Sequence, residues 1–184
     1  MTTFREDTTA FLLAQGFQLL YMSSRPGYSS FGRTNDACRH FVDEMIANGI
    51  GLAVVLMTRT ELMRLYGMDL CEFYRRNGME VLHYPVEDGS TPEDLGSFHA
   101  LMKRLLDRLK KSRILIHCNA GLGRTGTVAA GLLIFRGEKP DEAVAKIRRA
   151  RQGAVQNVWQ EDFLRRYFHA VAGTTASGGA DEDQ

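Results

Sequence analysis

The sequence predicts an α/β fold in which a largely parallel, mixed central sheet is flanked by helices. Two short runs of apolar and largely β-branched residues, GLAVVLM (51–57) and RILIHC (113–118), have the composition of strands buried on both faces. Segments with helical periodicity lie between and after these runs. Because strands that alternate with helices form parallel sheets, we expect ligands to bind at the carboxyl ends of the strands.

Strands and helices follow one another along the whole chain. Strands are predicted at 18–22, 51–57, 81–86 and 113–118, the first and third from weaker patterns. Helices are predicted at 35–47, 91–111, 125–136, 140–151 and 157–170. The helix over 91–111 should begin at Thr91, which can cap it, with Pro92 in the first helical position. A helical stripe facing the core is predicted for Trp159, Phe163, Tyr167 and Phe168.

Length, composition and charge indicate one globular domain. The chain has 184 residues, and 23 basic against 22 acidic residues give a formal net charge of +1. We therefore expect no bulk attraction to nucleic acid, and without a long apolar run we expect no membrane insertion. Residues 1–172 are predicted to form a single domain, which we expect to be a monomer. Residues 173–184, GTTASGGADEDQ, are predicted to be a disordered acidic tail.

The three cysteines, Cys38, Cys71 and Cys118, are far apart and lack the paired spacing of a zinc site. We expect no bound metal and no disulfide framework, which favours a reducing compartment. The N-terminal segment has acids where a signal peptide would have basic residues. The predicted location is cytoplasmic.

The candidate site follows the strand at 113–118. Cys118 is followed by a glycine-bearing turn made of Asn119, Ala120, Gly121, Leu122 and Gly123, and Arg124 and Thr125 then open a helix. Glycines allow positive φ, so backbone N–H groups can converge with those at the helix N-terminus. Such a turn is a cup for a tetrahedral dianion.

The residues at this turn suggest nucleophilic chemistry. The same donors that hold phosphate would stabilise a Cys118 thiolate, which is a nucleophile. Arg124 offers a planar fork that binds two phosphate oxygens at once. Thr125 can offer its hydroxyl to the sulfur and help it leave. The competing interpretation is a buried cysteine before an ordinary strand–helix turn.

Transfer of a phosphoryl group also needs a general acid. The candidate is Asp88 in HYPVEDGSTPEDL, in a loop between a predicted strand and a predicted helix. Glu87 is a weaker candidate. Since Asp-Gly is a standard turn dipeptide, Asp88 could instead only form the turn.

The segment HCNAGLGRT resembles the His-Cys-x5-Arg-Ser/Thr signature of the cysteine-dependent protein tyrosine phosphatase superfamily. The wider pattern is similar to the kinase-associated branch of the atypical dual-specificity phosphatases, from about residue 25 to 170. The stretches that carry this resemblance are VVLMTRTEL (54–62), YPVEDGSTPEDL (84–95), ILIHCNAGLGRTG (114–126) and GAVQNVWQEDFL (153–164). The loop departs from that branch at Asn119, Ala120 and Thr125.

This resemblance implies a phosphatase domain, a metal-free two-step mechanism without cofactor, and roles for individual residues. Cys118 would form a phosphocysteine, Arg124 and the loop amides from Asn119 onward would hold phosphate, and Asp88 would act as acid and then base. Gln156 would orient the water of the second step, although it could equally cap the helix near Asn157. His117 would orient the loop, or simply bond to backbone at the strand end.

The implied function is dual-specificity dephosphorylation of Tyr and Ser/Thr in a phosphorylated protein. The alternatives are an inositol phosphate or phosphoinositide phosphatase, a catalytically silent phosphate-binding module and, more weakly supported, a sulfur-transfer enzyme. Uncharged residues inside the loop favour protein substrates.

Other basic and cysteine residues have two interpretations each. Arg25, Arg33 and Arg39 could flank the pocket or be solvated surface charge. The helix dipole accounts for Arg148, Arg149 and Arg151. As in some relatives, Cys38 or Cys71 could trap an oxidised Cys118 as a disulfide; a buried apolar role is the simpler alternative.

Overall fold

A computed structural model describes residues 8–28 and 35–177 of the chain, and within them five strands form one mixed sheet. The strands are β1 (Thr9–Phe11), β2 (Leu20–Ser23), β3 (Ile50–Val55), β4 (Val81–His83) and β5 (Arg113–His117), in the spatial order β1-β2-β5-β3-β4. Only the pairing of β1 with β2 is antiparallel. The predicted α/β class with a largely parallel sheet is confirmed.

Strand β5 lies at the centre of the sheet and ends at the candidate site. Its apolar residues Ile114, Leu115 and Ile116 are fully buried between β2 and β3. In the parallel registers, His117 lies opposite Ser23 on one side and Val55 on the other. Cys118 therefore leaves the sheet at the middle of its carboxyl edge.

Helices cover both faces of the sheet. They are α1 (Asn35–Ala47), α2 (Arg59–Tyr66), α3 (Leu70–Arg76), α4 (Leu95–Leu109), α5 (Gly123–Phe135), α6 (Pro140–Ala150) and α7 (Val158–Ser177). Helix α5 is buried along nearly its whole length and packs against α4, α6 and α7. At Gly131 a Cβ atom would lie 2.5 Å from the Phe98 ring, so glycine lets α4 and α5 approach closely.

The start of α4 differs from the prediction. The helix begins at Leu95, and its cap is Asp94, whose carboxylate accepts the backbone N–H groups of Gly96 and Ser97. Thr91 is therefore outside the helix. An aspartate in extended conformation, with two backbone amides in reach, is a stronger cap than a threonine three residues earlier in the chain.

The stripe predicted on the last helix is partly wrong. Phe163 and Tyr167 are buried against Phe98, and Phe168 is partly buried, but Trp159 is 72% exposed. Because α7 begins at Val158, Trp159 lies in its first turn and faces outward, while the neighbouring Gln160 faces inward.

Two short helices, α2 and α3, and the edge strand β1 were not predicted, because each has too few residues to show a full hydrophobic period.

Helix α7 continues to Ser177, into the segment predicted as tail; residues 178–184 and Arg33 lie outside the described residues. Among the helices that the structure describes, none is long and apolar enough to cross a membrane.

Candidate active site

The loop after β5 wraps around the Cys118 sulfur. Cys118 is buried, and the backbone N–H of Gly121 donates to its Sγ at 3.3 Å. Gly121 has φ +71° and its backbone contacts β2 so closely that a Cβ atom would lie 2.2 Å from the Ser23 carbonyl oxygen. Glycine is required here on both counts. The loop then enters α5 at Gly123, so the helix N-terminus adds its N–H groups to the same cup.

Arg124 is held in one orientation by three partners. Its Nη1 donates to Glu61 Oε2 and to the Val86 carbonyl oxygen, both at 2.8 Å, and its Nη2 donates to Glu61 Oε1 at 3.0 Å and to Asp88 Oδ1 at 2.8 Å. Burial by itself would lower the pKa of Arg124, but the Glu61 hydrogen bonds and the negative charges of Cys118, Glu61 and Asp88 raise it above the ordinary value. The guanidinium is thus a fixed, permanent cation.

Glu61, the residue that clamps Arg124, was not predicted as part of the site. Its carboxylate also accepts the Thr58 backbone N–H at 2.8 Å, while the Thr58 hydroxyl accepts the Glu61 N–H, which makes a capping box at the start of α2. Burial would raise the pKa of Glu61, but the bonds with Arg124 and Thr58 outweigh it and lower the pKa. The sequence signal was the Thr-x-x-Glu spacing in TRTEL.

Asp88, the predicted general acid, contacts Arg124 from a separate loop. It lies in the Asp88 loop, defined as residues 86–90, where the Ser90 N–H donates to the Glu87 carbonyl and Gly89 has φ +72°. Its side chain is 69% exposed and reaches the Arg124 guanidinium. Asp88 therefore forms the turn and also faces the cup. Glu87 is exposed.

His117 lies behind the loop in an aromatic pocket. It is fully buried, its Nε2 is 3.3 Å from the Tyr74 hydroxyl and its Nδ1 is 3.3 Å from the Cys118 carbonyl oxygen. The rings of Phe41 and Tyr74 pack edge-on against the imidazole. The histidine thus bonds to backbone, and that backbone belongs to the nucleophile.

The Thr125 hydroxyl does not make the contact with sulfur that the sequence predicted. Thr125 is fully buried, and its Oγ1 has no hydrogen-bond partner among the described residues.

The start of α7 comes close to the cup. The Gln156 side chain is exposed, and its Oε1 lies 2.7 Å from the point where a Cβ on Gly123 would be. Gln156 does not cap the helix. Asn157 Oδ1 accepts the Gln160 N–H at 3.0 Å and is the cap, while the buried Gln160 side chain accepts the Gln156 N–H at 2.8 Å.

Two arginines near the end of α6 contact these loops, where the sequence indicated only an interaction with the helix dipole. Arg151 donates to the carbonyl oxygens of Gly121 at 2.7 Å and Ala120 at 3.2 Å, so it supports the loop from behind. Arg148 donates to the carbonyl oxygens of Ala154 and Val155. It thereby holds Val155, which has φ +54°.

Of the other predicted residues, Arg25 contacts the loop. Its Nε donates to Asn119 Oδ1 at 2.8 Å, and its guanidinium lies over the rings of Tyr28 and Tyr66. Arg39 is exposed on α1.

The three cysteines are free and buried. Burial raises the pKa of Cys38 and of Cys71 to about 11. Both thiols are therefore almost entirely protonated at neutral pH. No group of residues suited to hold a metal ion occurs in the described parts of the chain.

The largely parallel mixed sheet, the loop at the end of β5 and its arginine together define a member of the cysteine-dependent protein tyrosine phosphatase superfamily. A crystal structure of kinase associated phosphatase, with its catalytic site cysteine replaced by serine, superimposes with a TM-score of 0.79 and 29% identity, covering 90% of this chain and 95% of that one. The active form of Tk-PTP gives a TM-score of 0.68 and 28% identity, covering 88% and 97%.

Residues 13–144 match the family model of Cyclin-dependent kinase inhibitor 3 (CDKN3), and the chain belongs to this family. It is 35% identical to Cyclin-dependent kinase inhibitor 3 of Rattus norvegicus over 139 residues, 73% of this chain and 65% of that protein. The human protein tyrosine phosphatase type IVA 3 is 33% identical over 94 residues, 50% of this chain and 54% of that protein. The matched region thus spans less than two thirds of these relatives' own length.

Proposed function

We propose that this chain is a cysteine-dependent phosphomonoester hydrolase of the dual-specificity class. The observation that carries the proposal is that one side chain, Arg124, lies next to both other predicted catalytic residues. Arg124 is in the first turn of the helix that follows the Cys118 loop, and its guanidinium donates to Asp88 in a distant loop. This arrangement supports Cys118 as nucleophile, Arg124 as phosphate-binding group and Asp88 as proton donor. Kinase associated phosphatase, solved with its catalytic site cysteine replaced by serine, is a relative with the same fold and a cysteine at its catalytic site.

The first step is attack on phosphorus by the Cys118 thiolate, in line with the ester oxygen. The loop N–H groups and Arg124 hold the equatorial oxygens, where negative charge accumulates. Protonated Asp88 gives its proton to the departing oxygen as the phosphorus–oxygen bond breaks. The products are an alcohol and a phosphocysteine.

The second step releases phosphate. Water attacks phosphorus opposite the sulfur and gives its proton to the Asp88 carboxylate, and the sulfur–phosphorus bond breaks to restore the thiolate. Gln156, close to Gly123 at the rim of the cup, orients this water. Every group in the scheme belongs to the chain itself, and we expect turnover to survive a chelator.

We propose a phosphorylated protein as the substrate, with a protein kinase as the first candidate. The side chains of Asn119, Ala120 and Leu122 place no charge in the loop, which supports a protein rather than a polyanionic substrate. A relative of known structure is named kinase associated phosphatase.

The free thiols support the prediction of a reducing, cytoplasmic location.

One observation favours a second candidate, an inositol phosphate or phosphoinositide phosphatase. Arg25 is bonded to the Asn119 side chain and so brings a cation to the edge of the loop from β2. A cation there would attract a substrate with a second phosphate.

The test compares phosphotyrosine and phosphothreonine peptides with inositol polyphosphates and phosphoinositide vesicles. Peptide turnover that Cys118→Ser abolishes, with the circular dichroism spectrum unchanged, supports the proposal. Faster turnover of the inositol compounds, reduced by Arg25→Ala, would favour the second candidate. No turnover of any phosphoester would leave a phosphate-binding module.

A further inference from the structure

The Asp88 loop is attached to the first turn of α7 by two side-chain amides. Asn157 Nδ2 donates to the Gly89 carbonyl oxygen at 2.9 Å, and Gln160 Nε2 donates to the Ser90 carbonyl oxygen at 3.3 Å. Gly89 and Ser90 directly follow Asp88 in the chain. These amides therefore hold the backbone on the side of Asp88 that faces α7.

The other side of the Asp88 loop is attached to the sheet and to the site. The Val86 N–H donates to the Leu56 carbonyl at 3.0 Å, and the Val86 carbonyl accepts from Arg124. Asp88 lies between these two attachments, and its own side chain contacts Arg124 Nη2. Phosphate bound to Arg124 competes with that side-chain contact. In the substrate complex the position of Asp88 then depends on the backbone attachments.

Both amides on α7 are fixed by a second hydrogen bond. Asn157 Oδ1 accepts the Gln160 N–H as the helix cap, so its Nδ2 is directed at Gly89. Gln160 is 1% exposed, and its Oε1 accepts the Gln156 N–H. One turn of helix thus supports both the backbone of Gln156 and the loop that carries Asp88.

From this arrangement, and resting on the function proposed above, we infer that Asn157 is a positioning residue for proton transfer by Asp88. It acts through the Gly89 carbonyl and does not touch the substrate. Gln160 reinforces the same attachment and connects it to Gln156. When the Asn157 bond is lost, the Asp88 loop samples other positions and Asp88 is correctly placed for a smaller fraction of the time.

Two variants separate this role from helix capping. Asn157→Asp and Asn157→Ser both keep an oxygen that can cap α7, but aspartate has no N–H donor and serine is too short to reach Gly89. The chain offers Trp159→Ala as a matched control in the same turn, since that side chain is 72% exposed. Each variant is assayed on phenyl phosphate, whose leaving group needs a proton, and on 2,4-dinitrophenyl phosphate, whose leaving group does not.

We expect both Asn157 variants to lower kcat/KM, which reports only the steps up to departure of the alcohol, by about tenfold on phenyl phosphate, the effect of one hydrogen bond, and by less than about twofold on 2,4-dinitrophenyl phosphate. Combined with Asp88→Asn, they should lower kcat/KM on phenyl phosphate no further. Equal losses on both substrates, or a full additional loss in the Asp88→Asn background, would show a general structural role and overturn the inference. If Asp88→Asn itself left the phenyl phosphate rate unchanged, the proposed acid, rather than its support, would be wrong.

Discussion

Replacing Glu61 by glutamine tests whether the orientation of Arg124 depends on its paired hydrogen bonds to the Glu61 carboxylate, here called the Glu61 clamp. Glutamine can still accept the Thr58 N–H and keep the capping box. It cannot accept from both nitrogens of Arg124, because only one of its terminal atoms is an acceptor. The substitution therefore removes the paired, charge-assisted contact at 2.8 and 3.0 Å and leaves α2 capped.

The expected magnitude follows from those two bonds. Hydrogen bonds to charged groups contribute about 1.5–3 kcal/mol each, and glutamine recovers one of them in weaker form. The Arg124 side chain is 2% exposed, and its charge would keep only the largely exposed Asp88 carboxylate as an ionic side-chain partner. We expect the free energy of unfolding to fall by about 3 kcal/mol. Because Arg124 loses its fixed orientation, kcat should fall by about 10- to 100-fold.

The contribution of Glu61 to the free energy of unfolding should decrease as the pH falls. The pKa of Glu61 is lowered from 4.5 in the folded protein, so its carboxylate stabilises the fold above that pH. This contribution is lost as the pH falls through the lowered pKa. The stability difference between the wild type and Glu61→Gln, measured by urea denaturation, should be largest near neutral pH and shrink in acid.

Thr58→Ala is the matched control for the clamp. It removes the hydroxyl that caps α2 but leaves the ion pair in place, so it should cost about 1 kcal/mol of stability with little change in kcat. If Glu61→Gln kept full activity, or if Thr58→Ala reduced kcat as much, the clamp would not be what orients Arg124.

Three further predictions follow from the site and the core. Asp88→Ala should lower kcat by about 10²–10⁴-fold, because the proposed proton donor is lost; unchanged kcat would contradict this. The same variant should bind tungstate a few-fold more tightly in calorimetry, because Arg124 Nη2 no longer donates to Asp88. Arg151→Lys should lower kcat about tenfold, since an ammonium cannot bridge the loop carbonyls as a guanidinium does; wild-type kinetics would refute that support. Phe163→Ala should destabilise the fold by about 3–5 kcal/mol and Trp159→Ala by less than about 0.5 kcal/mol, and comparable losses in thermal denaturation would disprove the assigned burial.

The sheet and the cup could be predicted because their signals are local. Strands β3 and β5 are continuous apolar runs, and α1 was predicted at its observed bounds, Asn35–Ala47. The glycines, cysteine and arginine of the cup lie within seven consecutive residues, and together with the strand before them and the helix after them they predict a phosphate-binding turn.

The rest of the site depends on contacts between distant residues. Glu61 and Arg124 are 63 positions apart, and Asn157 and Gly89 are 68 apart. No periodicity or capping rule relates such positions. For the same reason Arg151 was interpreted through its own helix, although its partners are in the loop after β5. Local patterns predict which groups react, and the fold determines which side chains hold them.

The burial of α5 gives the two halves of the site different local stabilities. We expect backbone amides in the interior of this helix to exchange with solvent deuterium only when the whole domain opens, because nearly every residue of the helix is buried. Asp88, by contrast, lies in a turn whose side chains are mostly exposed, so its amides can exchange through small local openings. The helix that closes the cup is therefore as stable as the fold itself, whereas Asp88 lies on a segment that can move once its hydrogen bonds to α7 and Arg124 break.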